Sequence, residues 1–499
     1  MKLSKSHLTG KEYKIPEQID DKIGIDSFLL RNKDKKVVLV QGLGFVGSVM
    51  SLVCANSDET DYAVIGLDLP TEESFWKICS INEGVFPIIS SDSLVEEYYQ
   101  KTRINDNFYA TYDTYAISKA DFIIVDINLD VQKDKDHIGN ESNISFDVSL
   151  DAFKNAIQSI AGNCKKDSLV LIETTVPPGS TMIAKEIIEN GLKQRGLPAN
   201  EIKIGHSYER VMPGPNYINS IKNFFRVYSG VNEFSANHIE NFLKTIVSIK
   251  DFPLTRLKGT NSTEISKVLE NSYRAMNISF IVEWTRFAEE AGVDIYEVIE
   301  AIRMRPTHKN IMLPGIGVGG YCLTKDPLLA SWSKTSIMNS SESLKMSELA
   351  VKTNDNMPLF AFNFLKNFFP GESLKNKKVL MLGASYAPDI GDTRYSPADL
   401  FYDLLKKECC EISVHDPFVK FWEEKEIELS NDFNVISSSL DIIVISTGHS
   451  LYRTNAELIK ILLGIDKVFI YDTIGVFCED EINTLSTKHD VKVIGRGDL

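Results

Sequence analysis

The segment Lys36-Val-Val-Leu-Val-Gln-Gly-Leu-Gly-Phe-Val-Gly47 decides the fold of this chain. Its first six residues form an apolar run rich in β-branched side chains, which predicts a buried strand. Gly42, Gly44 and Gly47 then open a helical stretch that extends through Ala55. In such a turn Gly42 permits a sharp change of direction, Gly44 lets the backbone approach a pyrophosphate, and Gly47 allows a helix to pack closely on a strand.

An acidic residue lies where this kind of turn requires one, at the end of the next predicted strand. That strand runs from Tyr62 to Leu69 and contains Asp68, whose carboxylate can bind a ribose 2′-hydroxyl. A leucine and a proline follow, without an arginine for a 2′-phosphate, so NAD is favoured over NADP. Phe45 and Val46 belong to the same predicted cofactor loop. A glycine-rich structural turn is the alternative explanation.

Length and composition indicate an ordinary globular protein with several domains. A chain of 499 residues is too long for one core, and its 43% hydrophobic and 25% charged content is typical of globular proteins. The net charge of -15 argues against a general binder of nucleic acids or anionic membranes. We see no signal peptide and no apolar run of membrane-spanning length.

The cysteines indicate free thiols. There are seven, an odd number, and they are scattered without the paired spacing of a zinc site. We therefore expect a reducing, cytoplasmic environment, with no structural disulfides and no bound metal.

The order of predicted elements indicates an α/β fold with two Rossmann-like parallel-sheet domains joined by a long central helix. Strands are predicted at Asp121–Asp126 and Ser168–Thr174, helices alone from Gly259 to about Ile302, and renewed strand–helix alternation after Lys377. We expect an N-terminal extension (1–35), an NAD-binding domain (36–235), a central helical domain (236–345), a connector helix (346–375) and a C-terminal α/β domain (376–499).

The central helix is predicted to be apolar on several faces. Between Thr263 and Ala291 its apolar residues recur at spacings of three to four, so we expect it to be buried between domains or in a subunit interface. Lys267 and Asn271 share one face of this helix. They either point inward, where they need polar partners, or belong to a solvated stripe.

A glycine-rich stretch leads into one particular cysteine. Gly315, Gly317, Gly319 and Gly320 precede Cys322, and Lys325 and Asp326 follow it. Glycines at this density suit a backbone that approaches a ligand, and a thiol beside charged groups can serve as a nucleophile. The alternative is a surface turn ahead of a buried cysteine.

Two further motifs have simple structural explanations when taken alone. Glu173-Thr-Thr-Val-Pro-Pro-Gly-Ser-Thr181 is consistent with a strand–turn–helix junction. In the stretch from His206 to Asn216, Glu209 and Arg210 can form a structural ion pair or supply an acid/base group.

Together these segments resemble the NAD-dependent nucleotide-sugar 6-dehydrogenase family, which includes the UDP-glucose, GDP-mannose and UDP-N-acetylhexosamine dehydrogenases. The resemblance extends from Lys36 to the C-terminus. The matching motifs occur in the family's order: VLVQGLGFVG, INEGVFPI, ETTVPPGST, ERVMPG, SKVLENSYRAMN, PGIGVGGYCLTKD and GDTRYSP.

The resemblance implies a role for each matching residue. Cys322 matches the nucleophile, Lys267 the lysine that stabilises an oxyanion, and Asn271 a companion hydrogen-bond donor. Asp326, Thr175 and Glu209 match residues that position the attacking water or assist proton transfer. The expected substrate-binding residues are Glu209, Arg210, Lys267, Asn271, Gly315, Gly317, Gly319, Gly320 and Arg394, and Thr175 also belongs to the expected NAD site.

The implied reaction oxidises the C6 hydroxymethyl of a nucleotide sugar to a carboxylate in two steps, between the two α/β domains of a homodimer or higher homo-oligomer. The motif ERVMPG favours a UDP-N-acetylhexosamine substrate and a role in surface polysaccharide synthesis, with UDP-glucose or GDP-mannose as alternatives. A single-step hydroxyacid-type dehydrogenase and a non-catalytic NAD-binding protein are the other classes considered.

The sequence departs from the family pattern at four places. Ile89-Ser-Ser-Asp92 and Val125-Asp-Ile-Asn-Leu-Asp130 replace loops of the usual sequence. Ala387 stands where the family has a lysine, and Tyr321 stands where a histidine or a small residue usually precedes the cysteine.

Overall fold

The computed structural model describes residues 2–208, 210–211, 214–369, 374–437, 439–453 and 455–499. The chain divides into two compact units. The first comprises Met1–Val131, Val148–Val268 and Trp332–Ser341, and the second comprises Gln132–Asp147, Leu269–Ser331 and Glu342–Leu499.

The strands of the first half of the chain include those predicted from apolar runs. They are β1 (Leu3–Lys5), β2 (Glu12–Lys14), β3 (Lys36–Gln41), β4 (Tyr62–Leu67), β5 (Phe108–Thr111), β6 (Phe122–Val125), β7 (Val131–Lys133), β8 (Phe146–Val148), β9 (Leu169–Ile172), β10 (Lys203–Tyr208), β11 (Val227–Gly230) and β12 (Thr255–Arg256). The strands β1 and β2 pair with each other, as do β7 and β8.

An eight-stranded sheet forms the core of the first unit, in the order β12-β11-β10-β9-β6-β3-β4-β5. The central strands pair in parallel, as predicted, because each is buried on both faces and connected to the next by a helix. One pair differs from the predicted parallel arrangement: β10 and β11 are antiparallel, with Gly205 paired with Gly230.

Helices of the first unit alternate with these strands. They are α1 (Lys22–Arg31), α2 (Phe45–Ala55), α3 (Phe75–Glu83), α4 (Ser93–Asn105), α5 (Asp151–Asn163), α6 (Ser180–Gln194), α7 (Tyr217–Lys222) and α8 (Glu233–Ile246). The predicted N-terminal extension contains, within residues 2–35, the β1–β2 hairpin and α1.

The long central helix α9 extends from Thr260 to Ala291. Its predicted burial is wrong within the chain, because its large apolar side chains lie on its exposed face: Leu269, Tyr273, Phe280, Trp284 and Phe287 are each 44–62% exposed. Its buried face carries smaller and polar residues instead. The alternative expectation, that this helix is buried by another subunit, remains a prediction.

The second unit contains the predicted second parallel sheet. Its helices are α10 (Ile295–Arg303), α11 (Tyr321–Trp332, whose last residue belongs to the first unit), α12 (Lys345–Asp355), α13 (Met357–Asn367), α14 (Pro397–Lys407), α15 (Ala456–Gly464) and α16 (Glu479–Ser486). Its strands are β13 (Lys378–Leu382), β14 (Glu411–His415), β15 (Phe421–Trp422), β16 (Ile427–Glu428), β17 (Ile442–Ile445), β18 (Phe469–Asp472) and β19 (Asp490–Val493). Five of these strands form a parallel sheet in the order β14-β13-β17-β18-β19.

Both sheets confirm the predicted α/β fold, and the predicted strands agree with the observed ones to within about two residues at each end. In the part of the chain that the structure describes, no helix has the length and apolarity needed to cross a bilayer.

Candidate active site

The glycine turn of the first unit has the geometry that its sequence predicted. Gly42 has a φ of +104°, and a Cβ atom there would lie 2.1 Å from the carbonyl oxygen of Asp126. A Cβ atom on Gly47 would lie 1.9 Å from the Gly42 carbonyl oxygen, so α2 packs directly on the turn. A Cβ atom on Gly44 would have no neighbour within 4 Å. The protein leaves open space at the one glycine where a pyrophosphate would approach.

Asp68 lies directly after β4 and beside this turn. Its Oδ2 atom accepts a hydrogen bond from the Leu43 amide at 3.0 Å, and its Oδ1 atom accepts one from the Leu69 amide at 2.7 Å. The carboxylate is therefore held against the glycine loop, partly exposed, where a ribose hydroxyl can reach it. The open space at Gly44 and the position of Asp68 together fit a bound NAD.

The turn between β9 and α6 carries Thr175, which is half-buried. A buried carboxylate from α9 holds the end of this turn: Glu264 accepts hydrogen bonds from the Gly179 amide (2.7 Å), the Thr181 amide (2.7 Å) and the Thr181 hydroxyl (2.6 Å). Burial raises the pKa of Glu264 to about 7, although these hydrogen bonds oppose the shift. Glu264 thereby joins the Thr175 turn to the helix that carries Lys267.

Lys267 lies in a buried aromatic environment in the first unit. It is 6% exposed, and its Nζ atom lies 5.6 Å from the centre of the Tyr208 ring. The neighbouring His206 is fully buried; burial, and then the charge of Lys267, lower the pKa of its imidazole to about 3. The solvated-stripe alternative is therefore wrong for Lys267.

The motif around Arg210 is only partly described. Glu209 lies outside the described residues. Arg210 donates to the Phe225 carbonyl at 2.8 Å and to the Tyr208 hydroxyl at 3.1 Å, and Tyr208 is also hydrogen-bonded to Ser266 at 2.9 Å. This arrangement holds the Tyr208 ring close to Lys267.

In the second unit, Cys322 lies in the first turn of α11 and is exposed. The first turn of a helix directs backbone N–H groups toward negative charge, which favours a thiolate. The alternative of a buried cysteine is therefore wrong. The glycine-rich stretch Gly315–Gly320 leads directly into this helix, which begins one residue before the thiol.

Asp326 lies one helical turn after Cys322, and it is almost fully buried, at 1% exposure. Its Oδ2 atom accepts a hydrogen bond of 2.6 Å from the Asn271 side chain, and Lys325 lies 3.4 Å from its Oδ1 atom. Asn271 is itself buried, so the solvated-stripe alternative is wrong for this residue too. The structure thus brings together Cys322, Asp326 and Asn271 within one unit.

The glycines before Cys322 allow close packing against a turn of the C-terminal domain. A Cβ atom on Gly319 would lie 2.3 Å from the Tyr395 carbonyl oxygen, and one on Gly320 would lie 2.7 Å from the Tyr386 ring. Gly317 and Gly320 also have positive φ angles, whereas Gly315 has only ordinary contacts. Burial raises the pKa of Tyr386, and the nearby Asp392 and Cys322 raise it further.

Arg394 lies beside the same glycine stretch. Its side chain forms a bidentate ion pair with Asp392, at 2.8 and 2.6 Å, and its guanidinium carbon lies 4.6 Å from the centre of the Tyr321 ring. Tyr395 contacts Tyr321 edge-on at 5.1 Å. The sequence patterns did not identify Tyr386 and Asp392, because their contacts with this stretch arise only in the folded chain.

The loop Val125–Asp130, which departs from the family pattern, and the residues that follow it make two separate sets of contacts. In the first unit, the Thr174 hydroxyl accepts a hydrogen bond of 2.8 Å from the Ile127 amide. In the second unit, Lys133 and His137 both contact Asp355, at 2.9 and 3.0 Å. These long-range contacts had no counterpart in the sequence pattern.

The turn after β13 differs from the glycine turn of the first unit. Asp416, at the end of β14, is fully buried and accepts hydrogen bonds from the amides of Ala384 and Ser385 and from His449. Because it is fully buried, whereas Asp68 is partly exposed, this carboxylate is not presented to a ribose as Asp68 is.

Family models match three successive parts of the chain. Residues 36–247 match the NAD binding domain of the UDP-glucose/GDP-mannose dehydrogenase family, residues 261–356 match its central domain, and residues 380–479 match its UDP binding domain.

Known proteins resemble the chain over most of its length. UDP-N-acetyl-D-mannosamine dehydrogenase from Pyrococcus horikoshii is 28% identical over 421 residues, which are 84% of this chain and 90% of the relative. The solved structure of a UDP-D-ManNAc dehydrogenase from the same species has a TM-score of 0.77 and 26% identity, covering 93% of this chain and all of that one. The solved structure of an NDP-N-acetyl-D-galactosaminuronic acid dehydrogenase from Methanosarcina mazei has a TM-score of 0.73 and 26% identity, covering 95% of this chain and 98% of that one.

One enzyme family accounts for the glycine turn, for the three consecutive domain matches and for these relatives. The chain therefore belongs to the UDP-glucose/GDP-mannose dehydrogenase family, a family of NAD-dependent nucleotide-sugar dehydrogenases, and its cofactor is NAD.

Proposed function

We propose that this protein oxidises the C6 hydroxymethyl group of a UDP-N-acetylhexosamine to a carboxylate. The overall conversion removes four electrons: the alcohol, one water and two NAD⁺ give the carboxylate, two NADH and three protons. NAD, held by Gly42, Gly44, Gly47 and Asp68 with Phe45, Val46 and Thr175 alongside, supplies the hydride acceptor for both oxidations.

Cys322 is the proposed covalent anchor. Its thiolate adds to the C6 aldehyde formed in the first oxidation, which gives a thiohemiacetal and retains the reactive aldehyde. The second oxidation leaves a thioester, and water then displaces the thiolate to release the carboxylate. One observation carries this proposal: Cys322 is exposed in the first turn of α11. Asp326, which is hydrogen-bonded to Asn271, follows it by one helical turn.

Four side chains are proposed to support the tetrahedral intermediates and their hydrolysis. Lys267 and Asn271 stabilise the negative charge that develops on oxygen, because donors in a desolvated site are most effective where charge appears in the transition state. Asp326 and Thr175 orient the attacking water, and Glu209 shares this role by its match to the family motif. The burial of Lys267, Asn271 and Asp326 supports these assignments.

The nucleotide sugar is proposed to bind along the glycine stretch Gly315–Gly320, with Arg394 as a cation for its diphosphate. Arg210 and Glu209 complete the proposed sugar site. The match of residues 380–479 to a UDP binding domain supports UDP as the nucleotide.

An N-acetylhexosamine is the preferred sugar because relatives with this specificity match most of the chain. UDP-N-acetylmannosamine is the first candidate, followed by the gluco and galacto isomers. A UDP-glucose or GDP-mannose substrate is the alternative.

Two measurements test this function. The ratio of NADH formed to sugar consumed should be two, and Cys322→Ser should abolish carboxylate formation while NAD still binds. A panel of UDP- and GDP-sugars tests the sugar: turnover restricted to UDP-glucose or GDP-mannose would refute the N-acetylhexosamine assignment. A ratio of one would instead indicate a single-step dehydrogenase, and undiminished carboxylate from the serine variant would refute the covalent mechanism.

We also propose that the protein acts in the cytoplasm as a homodimer or higher homo-oligomer and supplies a uronic acid for surface polysaccharide. The exposed apolar face of α9 supports the oligomer, because aromatic side chains at this density on one helix face are typical of an interface. The test of this interface is given in the Discussion.

A further inference from the structure

The N-terminal hairpin β1–β2 packs beside the turn that follows Asp68. Ser4, in β1, is fully buried. Its hydroxyl donates a hydrogen bond of 2.7 Å to the Glu72 carbonyl and accepts one of 2.9 Å from the Trp76 amide. One side chain of the hairpin therefore joins both ends of the segment Glu72–Trp76.

This segment is connected to Asp68 by a short series of hydrogen bonds. The Ser74 hydroxyl donates to the Leu69 carbonyl at 2.5 Å and is hydrogen-bonded to the Thr71 hydroxyl at 2.8 Å. The Leu69 amide in turn donates to the Asp68 carboxylate. Ser4 is thus linked through the Thr71–Trp76 turn to the residue that faces the cofactor's ribose.

Further contacts hold the N-terminal segment to the first unit. Lys11 and Tyr13, in and beside β2, both contact the Glu83 carboxylate, at 2.7 and 2.8 Å. Asp21, at the start of α1, accepts hydrogen bonds from Tyr109 and Thr111 of β5, at 3.0 and 2.6 Å. The N-terminal segment is therefore anchored to the rest of the first unit at several points besides Ser4.

We propose that Ser4 is a positioning residue for Asp68, and that residues 2–21 set the affinity of the protein for NAD. A hydrogen-bonded turn holds the carboxylate in the geometry that a ribose hydroxyl requires, so NAD does not bear the cost of ordering this turn. This inference rests on the cofactor site and is independent of the sugar proposed above. The simpler alternative is that the N-terminal segment only covers the edge strand β5 and stabilises the fold.

A double-mutant cycle distinguishes positioning from general stabilisation. Dissociation constants for NAD⁺ are measured by calorimetry, without any sugar, for the wild type, Ser4→Ala, Asp68→Ala and the double variant. Ser4→Ala should weaken NAD⁺ binding about three- to tenfold, the range that one neutral hydrogen bond spans. In the Asp68→Ala background the same substitution should have almost no further effect, because the residue that it positions is gone.

Ser6→Ala is the matched control. Ser6 is also a fully buried serine of the hairpin, but its hydroxyl accepts only from the Leu8 and Thr9 amides within the hairpin turn. It should leave NAD⁺ affinity unchanged. If Ser4→Ala yields no folded protein, Thr71→Ala replaces it in the cycle, because it removes a hydroxyl from the same turn.

The outcomes are distinct. The proposal is supported if the effects of the substitutions at positions 4 and 68 are strongly coupled and Ser6→Ala leaves the NAD⁺ affinity unchanged. Equal effects of Ser4→Ala in both backgrounds, a change in melting temperature without a change in affinity, or an equal loss in Ser6→Ala would overturn it. Because no sugar is present, failure of the proposed sugar chemistry does not alter this measurement.

Discussion

The guanidinium of Arg394 lies over the ring of Tyr321, with 4.6 Å between the guanidinium carbon and the ring centre, and Tyr321 directly precedes Cys322. A proposed diphosphate-binding cation is thereby held against the residue beside the proposed nucleophile. This contact also gives Tyr321 a physical role, where the family usually has a histidine or a small residue.

Removing the Tyr321 ring should therefore weaken binding of the nucleotide sugar. Tyr321→Ala should raise KM for the UDP-sugar about two- to fivefold, since an exposed cation–π contact contributes about 0.5–1 kcal/mol. Steady-state kinetics with either substrate varied should show KM for NAD unchanged. Tyr321→Phe keeps the ring and serves as the control; equal effects of the two substitutions would show that the stack has no role.

Alanine substitutions at Gly47 and at Gly44, two of the three glycines of the cofactor turn, should have different effects. Gly47→Ala should destabilise the fold, because its methyl group meets the Gly42 carbonyl, whereas Gly44→Ala meets no protein atom and should keep its melting temperature. Gly44→Ala should nevertheless weaken NAD⁺ binding about 5- to 150-fold, the range that overpacking by about 1–3 kcal/mol implies. Thermal melts and NAD⁺ titrations of both variants measure these effects. Normal NAD⁺ affinity in Gly44→Ala would contradict the assigned position of the pyrophosphate.

Glu264 should make stability depend on pH. Burial raises the pKa of its carboxyl to about 7, well above the value of about 4.3 for an unfolded chain. Protonation of this carboxyl therefore favours the folded state. Its contribution to the stability is complete below pH ~4 and is lost as the pH rises through about 7. Glutamine does not titrate, so the Glu264→Gln variant lacks the gain in stability that the wild type has at low pH. The loss of melting temperature relative to the wild type should therefore be larger at pH 5 than at pH 8, by about 3–6 °C.

Melts of the wild type and of Glu264→Gln at both pH values measure this difference. Glu186→Gln, an exposed position on α6, is the control and should show no such dependence. The same loss at pH 5 and pH 8 in the Glu264 variant would mean that the carboxyl is ionised throughout this range.

Charge on the exposed face of α9 should separate the subunits. Phe280 and Trp284 have ring centres 6.0 Å apart on this face, and both are about half exposed. Phe280→Glu and Trp284→Glu should convert the oligomer into monomers in sedimentation velocity, because burying an unpaired carboxylate opposes association. Ile104→Glu, at an 82% exposed position on α4, should leave the oligomer intact. A monomeric wild type would refute the proposed interface.

Local sequence determined the succession of strands and helices and the cofactor turn. Strand β3 and the three glycines after it lie within 12 residues, so their roles follow from neighbouring φ angles and contacts along the chain. The motif around Cys322 likewise identified a candidate nucleophile before any contact was known. Its place in the first turn of a helix was not evident, because consecutive glycines predict a loop.

Only the tertiary structure decided which distant residues meet. Asn271 and Asp326 are 55 positions apart, Tyr321 and Arg394 are 73 apart, and Ser4 reaches Glu72 across 68 residues. Periodicity specifies the faces of an element but not what covers them, so it did not reveal that the aromatic face of α9 is exposed within the chain. The N-terminal segment is polar and has no clear periodicity. Hydrogen bonds to the rest of the first unit hold it in place, and no local sequence pattern reveals these bonds.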